Sequence, residues 1–228
     1  MSTATTSSPH SRIAALVVGI VATVAFVSLR LIVAASDHEP LAIDIWWHDR
    51  MVTDRSDVWV AVAWVPAVVG GTLGMILIGA VLVALFLWRR RRADAATLAA
   101  AMVVVVAIGA TMAAIIGRTR PEDSLAESVA TSFPSGHTAV ATTVCIVLGL
   151  LLRRWWVWII GAVRVLTMMW SRTYLHAHWF SDVVAGLLEG IAVATFVWVA
   201  SEAVRDRRAT SRAAASPSDQ PTESVPNP

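Results

Sequence analysis

The 228-residue sequence contains no lysine and only one cysteine and one tyrosine. All eighteen cationic side chains are therefore arginines, and catalysis by a lysine amine is excluded. The single cysteine, Cys145, excludes an intrachain disulfide and a cysteine metal cluster. It lies in an apolar stretch, which favours its interpretation as a small buried core residue.

Charge is also scarce, since 15% of the residues are charged, 57% are hydrophobic and the mean hydropathy is +0.66. Several apolar runs reach the length of about 20 residues that a membrane-spanning helix needs. The composition therefore predicts an integral membrane protein. A pI of about 9.4 could indicate a nucleic-acid partner, but the arginines cluster at the ends of apolar runs, which indicates membrane topology instead.

Six apolar runs predict an all-α bundle of about six transmembrane helices, at residues 13–35, 58–88, 95–116, 135–152, 155–175 and 180–203. The first run is too long and too weakly basic at its start for a signal peptide. The second is long for one span, and Pro66 with the Gly70–Gly71 pair predicts either a bend or a short interfacial piece before the true span. Between these two runs, the apolar patch Ile45–Trp47 predicts a short interfacial helix.

These runs divide the chain into three parts. We expect residues 12–204 to form one membrane domain, and residues 1–11 and 205–228 to be disordered cytoplasmic tails. Four groups of arginines fall on one side if there are six spans: Arg12, Arg89–Arg92, Arg153–Arg154 and Arg205–Arg212. The positive-inside rule makes this side cytoplasmic. Five of the six histidines then fall on the outer side.

Three short stretches at the outer ends of the spans carry candidate catalytic residues. In the last of them, His178 and Asp182 open the sixth span four residues apart, so they share a helix face. The carboxylate can accept a hydrogen bond from one imidazole nitrogen, which fixes the tautomer and leaves the other nitrogen as a nucleophile. A helix-terminal aspartate beside an interfacial histidine is the simpler alternative.

The middle stretch, Pro134–His137, lies where a loop enters the fourth span. Ser135 is a typical N-cap residue, and the free amide groups of a helix start bind phosphate oxygens. Gly136 lets the backbone approach a ligand closely, and His137 follows directly. An ordinary capped helix start would explain the serine, but it gives no reason for the histidine.

The first stretch, Gly117–Pro121, places Arg118 and Arg120 on the outer side, against the positive-inside bias. A guanidinium group can bind phosphate through two parallel hydrogen bonds. The alternative is pairing with acidic side chains of the same loop, namely Glu122, Asp123 or Glu127.

In this order, the three stretches resemble the signature of the type 2 phosphatidic-acid phosphatase and vanadium haloperoxidase superfamily. That signature reads Lys-x6-Arg-Pro, then Pro-Ser-Gly-His, then Ser-Arg-x5-His-x3-Asp. The second and third blocks match completely, and Arg120–Pro121 matches the end of the first. The resemblance covers residues 113–182 by motif, and the six-span layout extends it to most of the chain.

The resemblance implies a phosphatase without a metal ion or other cofactor. His178 would be the nucleophile that forms a phosphohistidine, Asp182 would orient it, and His137 would protonate the leaving group. The phosphoryl oxygens would be bound by Arg120, Arg172, Ser135 and the Gly136 amide, with Arg118 as a further candidate. These fixed cations and amides would supply the electrostatic stabilisation that magnesium supplies in other enzymes.

One position departs from the family pattern. Ala113 stands where the first block has its lysine, so the phosphate site lacks one cation or takes it from Arg118 or Arg164. Arg164 lies deep in the fifth span, where an ionisable group is a functional candidate, although snorkelling toward the inner face is an equal alternative. Three histidines outside the pattern are expected to have no role: His38, His48 and His176. A place at the border of the substrate entrance is the alternative for His176.

The leading functional hypothesis is a lipid phosphatase or diphosphatase in a bacterial inner membrane, with its site on the outer face. Phosphatidic acid, phosphatidylglycerol phosphate and polyprenyl diphosphates remain open as substrates, because the motifs recognise the phosphate and not the tail.

Ala113 motivates a second hypothesis, a catalytically impaired protein that binds or transports lipid phosphates. A vanadate-dependent haloperoxidase is a third, disfavoured by the six spans. Membrane lipids are the expected partners and nucleic acid is not, while the oligomeric state stays open.

Overall fold

The computed structural model describes residues 8–126 and 131–215. In this part of the chain there are eight α-helices and one isolated β-bridge, which confirms the all-α membrane bundle expected from the sequence. The helices are α1 (Pro9–Ala35), α2 (Ala42–Thr53), α3 (Asp57–Val69), α4 (Thr72–Trp88), α5 (Arg92–Ile116), α6 (Gly136–Leu152), α7 (Trp155–Tyr174) and α8 (Phe180–Ala215). The short helix expected around Ile45–Trp47 is α2.

Three of these helices, α1, α5 and α8, are long and apolar enough to cross a membrane alone, and α3 with α4 would form a fourth, bent span. The bend measures 50° and falls at Gly70 and Gly71, shortly after Pro66 inside α3. It lies where the sequence predicted it, because proline removes a helix hydrogen bond and glycine weakens a helix. Since α6 is apolar but shorter, the count of six spans stays a prediction.

The two terminal segments are more helical than the sequence suggested. Helix α1 already begins at Pro9, where the Ser8 hydroxyl accepts a hydrogen bond from the Ser11 amide at 3.2 Å. Helix α8 continues to Ala215, so residues 205–215 are helical where we expected a disordered tail. Alanine and arginine are strong helix formers, and the charges at the start of this segment are paired with other helices. The remaining parts of the predicted tails, 1–7 and 216–228, lie outside the described residues.

Paired charges tie three helices together at one end of the bundle, which we call the arginine end. On α8, Arg205 lies 2.6 Å from Asp94 of α5 and 3.0 Å from Glu202. Glu202 in turn lies 3.7 Å from Arg12 of α1, and Arg91 lies 2.5 Å from Asp94. Three of the arginine groups that the positive-inside rule assigned to one side therefore do meet at one end.

Helices α6 and α8 cross in close contact near the opposite end. A Cβ atom at Gly186 would lie 2.4 Å from the Ser135 carbonyl oxygen, and one at Gly190 would lie 2.7 Å from the Ala139 carbonyl oxygen. Only glycine leaves room for this approach, and small residues play the same part in other membrane helix pairs. The crossing fixes the start of α6 beside the start of α8.

Helix α8 contains an acidic residue whose burial is not explained by any hydrogen bond among the described residues. Glu189 is 3% exposed, and neither carboxyl oxygen has a hydrogen-bond partner among the described residues. It faces α5, where a Cβ atom at Gly109 would lie 3.4 Å from its Oε1. Burying a polar group without a partner costs about 1–3 kcal/mol. We therefore expect Glu189→Met, which keeps the side-chain length, to raise the thermal midpoint in detergent by a few degrees.

The matched control for this prediction is Glu202→Gln. Glu202 is equally buried on the same helix, but it pairs with Arg12 and Arg205. Its replacement should lower the midpoint, because both arginines lose a counter-charge. A lower midpoint for Glu189→Met as well would contradict the prediction and show that the carboxyl group at 189 is stabilising.

Candidate active site

The residues of the three sequence motifs meet at the end opposite the arginine end, which we call the histidine end. His137 lies in the first turn of α6, and His178 lies in the turn between α7 and α8. The Ser135 amide donates to the Asp182 carbonyl at 3.0 Å, which joins the two helix starts directly. The two candidate catalytic histidines thus belong to adjacent helix starts on the same side of the molecule.

A short antiparallel pairing in the loop before α6 brings a backbone carbonyl to His178. Thr119 and Thr131 form the isolated β-bridge, and the Ser132 hydroxyl donates to the Thr119 carbonyl at 3.2 Å. The indole nitrogen of Trp179 donates to the same carbonyl at 2.9 Å. These bonds hold the loop against the turn that contains His178.

The His178 ring is buried, and both of its nitrogens have a defined neighbour. Nδ1 lies 2.7 Å from the Ser132 carbonyl oxygen. Because a carbonyl only accepts hydrogen bonds, Nδ1 must carry the proton, and in the neutral ring Nε2 then bears the lone pair. Nε2 lies 3.3 Å from Nη1 of Arg120. The ring therefore presents a nucleophilic nitrogen beside a guanidinium group.

The surroundings of His178 favour its neutral form. Burial is the largest effect and lowers the pKa of the imidazole. The nearby positive charges of Arg120 and Arg172 lower this pKa further, while Asp182 opposes them. With an ordinary value near 6.5 as the starting point, a lowered pKa leaves the ring neutral and nucleophilic at pH 7.

Asp182 does not form the hydrogen bond that we expected with the His178 ring. Its Oδ2 lies 3.8 Å from Nδ1, which is beyond hydrogen-bond range. Oδ2 instead accepts from the Trp179 amide at 2.9 Å, and Oδ1 accepts from Arg118 at 2.6 Å. The bond to Trp179 joins the third helical residue to the N-cap amide of α8. Asp182 therefore positions the turn and places a negative charge near the ring, while Ser132 sets the tautomer.

Arg120 and Arg172 lie beside the candidate nucleophile, as expected. Nη1 of Arg120 donates to the Ala177 carbonyl, which holds this guanidinium against the turn that contains His178. Arg172, near the end of α7, is 1% exposed. Its own carbonyl accepts from the amides of Ala177 and His178 at 3.0 and 3.2 Å. The backbone of Arg172 thus fixes the start of the turn, and its charge acts on the His178 ring.

The expectation that Arg118 binds phosphate must be corrected. Its guanidinium is completely buried, and each of its five N–H groups has an acceptor within 3.2 Å. The acceptors are the carbonyls of His38 and Glu39, the carboxylates of Asp44 and Asp182, and the Ser181 hydroxyl. No donor is left for a ligand. Arg118 is a structural residue that joins α2 and the loop before it to α8.

The bonds of Arg118 also contradict the alternative that it pairs with Glu122 or Asp123 of its own loop. Glu127, the third acidic residue considered, lies outside the described residues. The true partner, Asp44, was missed by sequence reasoning. A signal for it existed, since Asp44 is the one charged residue in the apolar segment from Ala42 to Trp47, and it is completely buried.

The start of α6 has a buried serine, Ser135, next to open space at Gly136. Ser135 occupies the N-cap position, but its hydroxyl lies 3.2 Å from the Thr138 hydroxyl and does not cap a backbone amide. A Cβ atom at Gly136 would meet no described atom within 4 Å. His137 is half-buried, and its Nε2 would lie 3.8 Å from a Cβ atom at Gly71. The first turn of α6 therefore has open space at Gly136 for a ligand.

Arg164 is directed at the bend between α3 and α4. A Cβ atom at Gly70 would lie 3.3 Å from its Nη2, and this buried nitrogen has no hydrogen-bond partner among the described residues. Because the neighbouring Gly71 lies near His137, Arg164 is not directed toward the arginine end, which contradicts the snorkelling alternative. That it replaces the lysine missing at Ala113 stays a prediction.

Comparison with known proteins identifies related sequences. A family model described as PAP2 superfamily matches residues 94–206. Over 113 residues the chain is 32% identical to an undecaprenyl-diphosphatase from Sulfolobus acidocaldarius, a match that covers 46% of this chain and 54% of that protein. The chain therefore matches only about half the length of this curated relative.

Two solved structures share the fold. A transmembrane PAP2-type phosphatidylglycerolphosphate phosphatase from Bacillus subtilis superimposes with a TM-score of 0.72, at 20% identity over 82% of this chain and 96% of that one. LpxE of Aquifex aeolicus superimposes with a TM-score of 0.61, at 21% identity over 69% of this chain and 96% of that one. The family match covers the second and third motifs, α6 and the site built around His178. The chain belongs to the PAP2 superfamily.

Proposed function

We propose that this protein is a membrane phosphatase that removes phosphate from a lipid at the histidine end of the bundle, through a phosphohistidine at His178. One observation carries the proposal. A buried imidazole is held by a carbonyl at Nδ1, at 2.7 Å, and its Nε2 lies 3.3 Å from the Arg120 guanidinium. Arg120 donates to the Nε2 lone pair in this structure, and a phosphoryl group that takes over this N–H donor would lie directly before that lone pair.

The proposed reaction has two steps. In the first, Nε2 of His178 forms a bond to phosphorus, the bond from phosphorus to the leaving oxygen breaks, and His137 donates a proton to that oxygen. In the second, His137 takes a proton from water as the water oxygen attacks phosphorus, and the bond to Nε2 breaks. The products are the lipid with one phosphate fewer, which for a diphosphate is the lipid monophosphate, and inorganic phosphate, and both histidines return to their starting state.

The charge that develops on the phosphoryl oxygens needs stabilisation by fixed groups. Arg120 and Arg172 supply two guanidinium groups, and the amides at the start of α6 supply further donors. We propose that these groups are sufficient without a metal ion in either step. The Ser135 hydroxyl is expected to act through Thr138 or, after a rotation, directly on the phosphate.

A groove below the phosphate site offers a place for the lipid tail. A cavity of about 280 Å³ lies between α6, α7 and α8, and its lining includes Thr142, Val165, Leu187 and Ile191. Thr142 follows His137 by five residues and Leu187 follows Asp182 by five, so the groove begins about one and a half helical turns deeper in the bundle. Cys145, which we expected to be core, is half-buried and lines this groove.

The name of the curated relative and the apolar groove together suggest a natural substrate. The curated relative is named for the hydrolysis of undecaprenyl diphosphate, and an apolar groove suits a hydrocarbon tail such as a polyprenyl chain. We therefore propose a polyprenyl diphosphate as the preferred substrate. With the arginine end in the cytoplasm, the site would face the outside of a bacterial inner membrane, in agreement with the positive-inside rule.

The test is a phosphate-release assay on purified protein in detergent. Undecaprenyl diphosphate, phosphatidic acid and phosphatidylglycerol phosphate are compared at equal surface concentration, each with and without EDTA. We expect release from all three, the largest kcat/KM for undecaprenyl diphosphate, and rates that EDTA does not abolish. Complete loss with EDTA would contradict the metal-free mechanism, and a different preferred lipid would contradict the substrate assignment.

A second candidate function is lipid-phosphate binding or transport without hydrolysis. The structure adds one reason for it, because the family lysine is replaced by Ala113 and Arg118 is fully occupied by protein acceptors. The phosphate site therefore has fewer cations than the sequence suggested. Saturable binding of radiolabelled undecaprenyl diphosphate, without phosphate release over hours, would favour this function and overturn the enzymatic proposal.

A further inference from the structure

Two histidines that the family signature does not include lie together with an aspartate at the histidine end. His48 comes from α2, Asp123 from the loop after α5, and His176 from the turn between α7 and α8. One ligand atom from each of the three side chains lies within 4.8 Å of the other two. Three separate segments of the chain therefore converge on one point.

The contacts within this group centre on the carboxylate. Oδ2 of Asp123 lies 2.5 Å from Nδ1 of His176, and Oδ1 lies 3.4 Å from Nε2 of His48. The two imidazole rings are 4.5 Å apart between centroids. The carboxylate thus stands between two ring nitrogens, each of which can donate a hydrogen bond to it or, without its proton, bind a metal ion together with it.

These three donors have the chemistry of a transition-metal site. Imidazole nitrogen with carboxylate oxygen suits Zn²⁺ and related cations, whereas Mg²⁺ and Ca²⁺ prefer sites made of oxygen alone. Bonds of about 2.0–2.1 Å around a tetrahedral ion place its ligand atoms roughly 3.4 Å apart. The observed separations bracket this value, so side-chain shifts of about 1 Å would complete the geometry.

The surroundings fit an ion that enters from outside and is held against the protein. Asp123 is 43% exposed and His48 is 20% exposed, while His176 is completely buried. The His176 backbone has a φ of +53°, a conformation that costs energy in a non-glycine residue. Its Nε2 is also buried without a hydrogen-bond partner among the described residues. Hydrogen bonding among the described residues therefore uses only one of the two ring nitrogens, Nδ1, which faces Asp123.

We propose that His48, Asp123 and His176 bind one divalent transition-metal cation of the Zn²⁺ class, with water as the fourth ligand. Sequence reasoning expected no metal ion in the protein and no role for His48 or His176, and this site takes no part in the phosphoryl-transfer steps. Its effect is structural. The loop and the turn are already joined by a hydrogen bond from the Leu125 amide to the Leu175 carbonyl at 3.0 Å, and the ion would add a second link.

The position of this link matters for the phosphate site. The loop that carries Asp123 also carries Arg120, and the turn that carries His176 also carries His178. The Arg120 guanidinium donates to the Ala177 carbonyl between the two histidines. A bound ion would therefore hold Arg120 and His178 at a constant separation.

The test uses full-length protein with a histidine-free affinity tag, stripped with EDTA and dialysed. Zinc is titrated by calorimetry, and the thermal midpoint is followed in parallel. We expect one ion per chain and a rise of the midpoint with Zn²⁺ but not with Mg²⁺ at the same concentration. Replacement of Zn²⁺ by Co²⁺ should give the visible absorption bands of a site with nitrogen and oxygen ligands.

Two ligand variants and two matched controls locate the ion. His48→Gln and Asp123→Asn should bind Zn²⁺ at least about tenfold more weakly, since loss of even an outer-shell partner costs that much. His10→Gln and Asp49→Asn remove an exposed histidine and an exposed aspartate and should bind as the parent does. Because Asp123 lies in an exposed loop position, its variant is expected to fold even if a histidine variant does not.

Two results would overturn the proposal. One is the absence of saturable Zn²⁺ binding, which would leave Asp123 as a hydrogen-bond partner of the two histidines. The other is equal affinity in the parent and in Asp123→Asn, which would place any bound ion elsewhere. Neither result bears on phosphate release, which is measured separately in EDTA and does not require the ion.

Discussion

Replacing His178 with alanine is expected to reduce phosphate release from every lipid substrate by at least about a thousandfold. The reason is that no other group would supply the nitrogen lone pair beside Arg120, and loss of a covalent nucleophile costs enzymes several orders of magnitude in kcat. The loss should fall on kcat rather than KM, because the cations that bind the phosphate remain in place. Initial rates with undecaprenyl diphosphate over a range of concentrations measure both.

A covalent intermediate separates this role from a structural one. With substrate labelled at the terminal phosphate, an acid quench should leave less label on the protein than an alkaline quench, because a phosphohistidine is acid-labile. The His178→Ala protein should carry no label. His178→Asn serves as a second inactive variant, since its amide can still donate to the Ser132 carbonyl and preserve the fold. His10→Gln, at the exposed start of α1, should be fully active, and turnover by both His178 variants would refute the nucleophile.

Replacing Arg118 with alanine is expected to lower the thermal midpoint by about 10 °C, the largest stability loss that the structure predicts. The change removes five hydrogen bonds and leaves two completely buried carboxylates, Asp44 and Asp182, without their cation. Breaking a buried ion pair from one side costs about 3–5 kcal/mol. For a chain of this size each kcal/mol lowers the midpoint by about 2–4 °C.

The matched comparison is Arg120→Ala, two residues along the same loop. We expect Arg120→Ala to lose most of its turnover and little of its stability, because its guanidinium is expected to contact the substrate. Arg118→Ala should lose stability and keep most of its turnover when it is assayed below its thermal midpoint. The pair Arg118→Gln with Asp44→Asn should recover part of the lost stability, because it removes one buried charge together with its partner. A stable Arg118→Ala protein with no activity would instead show that Arg118 binds phosphate.

Much of the fold could be read from local chemistry. The apolar runs fix where helices form, because a backbone in lipid must satisfy its own hydrogen bonds. Pro66 and the two glycines after it mark the bend by removing a hydrogen bond and a side chain. The helix of α8 beyond Ala203 was missed, because its stability comes partly from pairing Arg205 with Asp94, more than a hundred residues earlier.

Sequence reasoning identified the side chains that meet at the site, but it missed the backbone groups that orient them. Arg120 and His178 were identified by residue type and spacing and Arg172 by the family resemblance, and the three do lie together. The Ser132 carbonyl, which sets the tautomer of His178, carries no signal in the sequence because every residue has a carbonyl. The i, i+4 spacing of His178 and Asp182 suggested a hydrogen bond, but the capping bond to Trp179 and the ion pair with Arg118 occupy that carboxylate.

The glycine-mediated crossing of α6 and α8 limits which parts of the protein can move. Backbone atoms of the two helices are already in contact at Gly186 and Gly190, so the start of α6 cannot slide relative to the start of α8 without a clash. Any widening that admits a lipid headgroup must therefore come from the opposite wall. The break at Gly70–Gly71, where the helical hydrogen bonds are interrupted beside His137, is the natural hinge for such an opening.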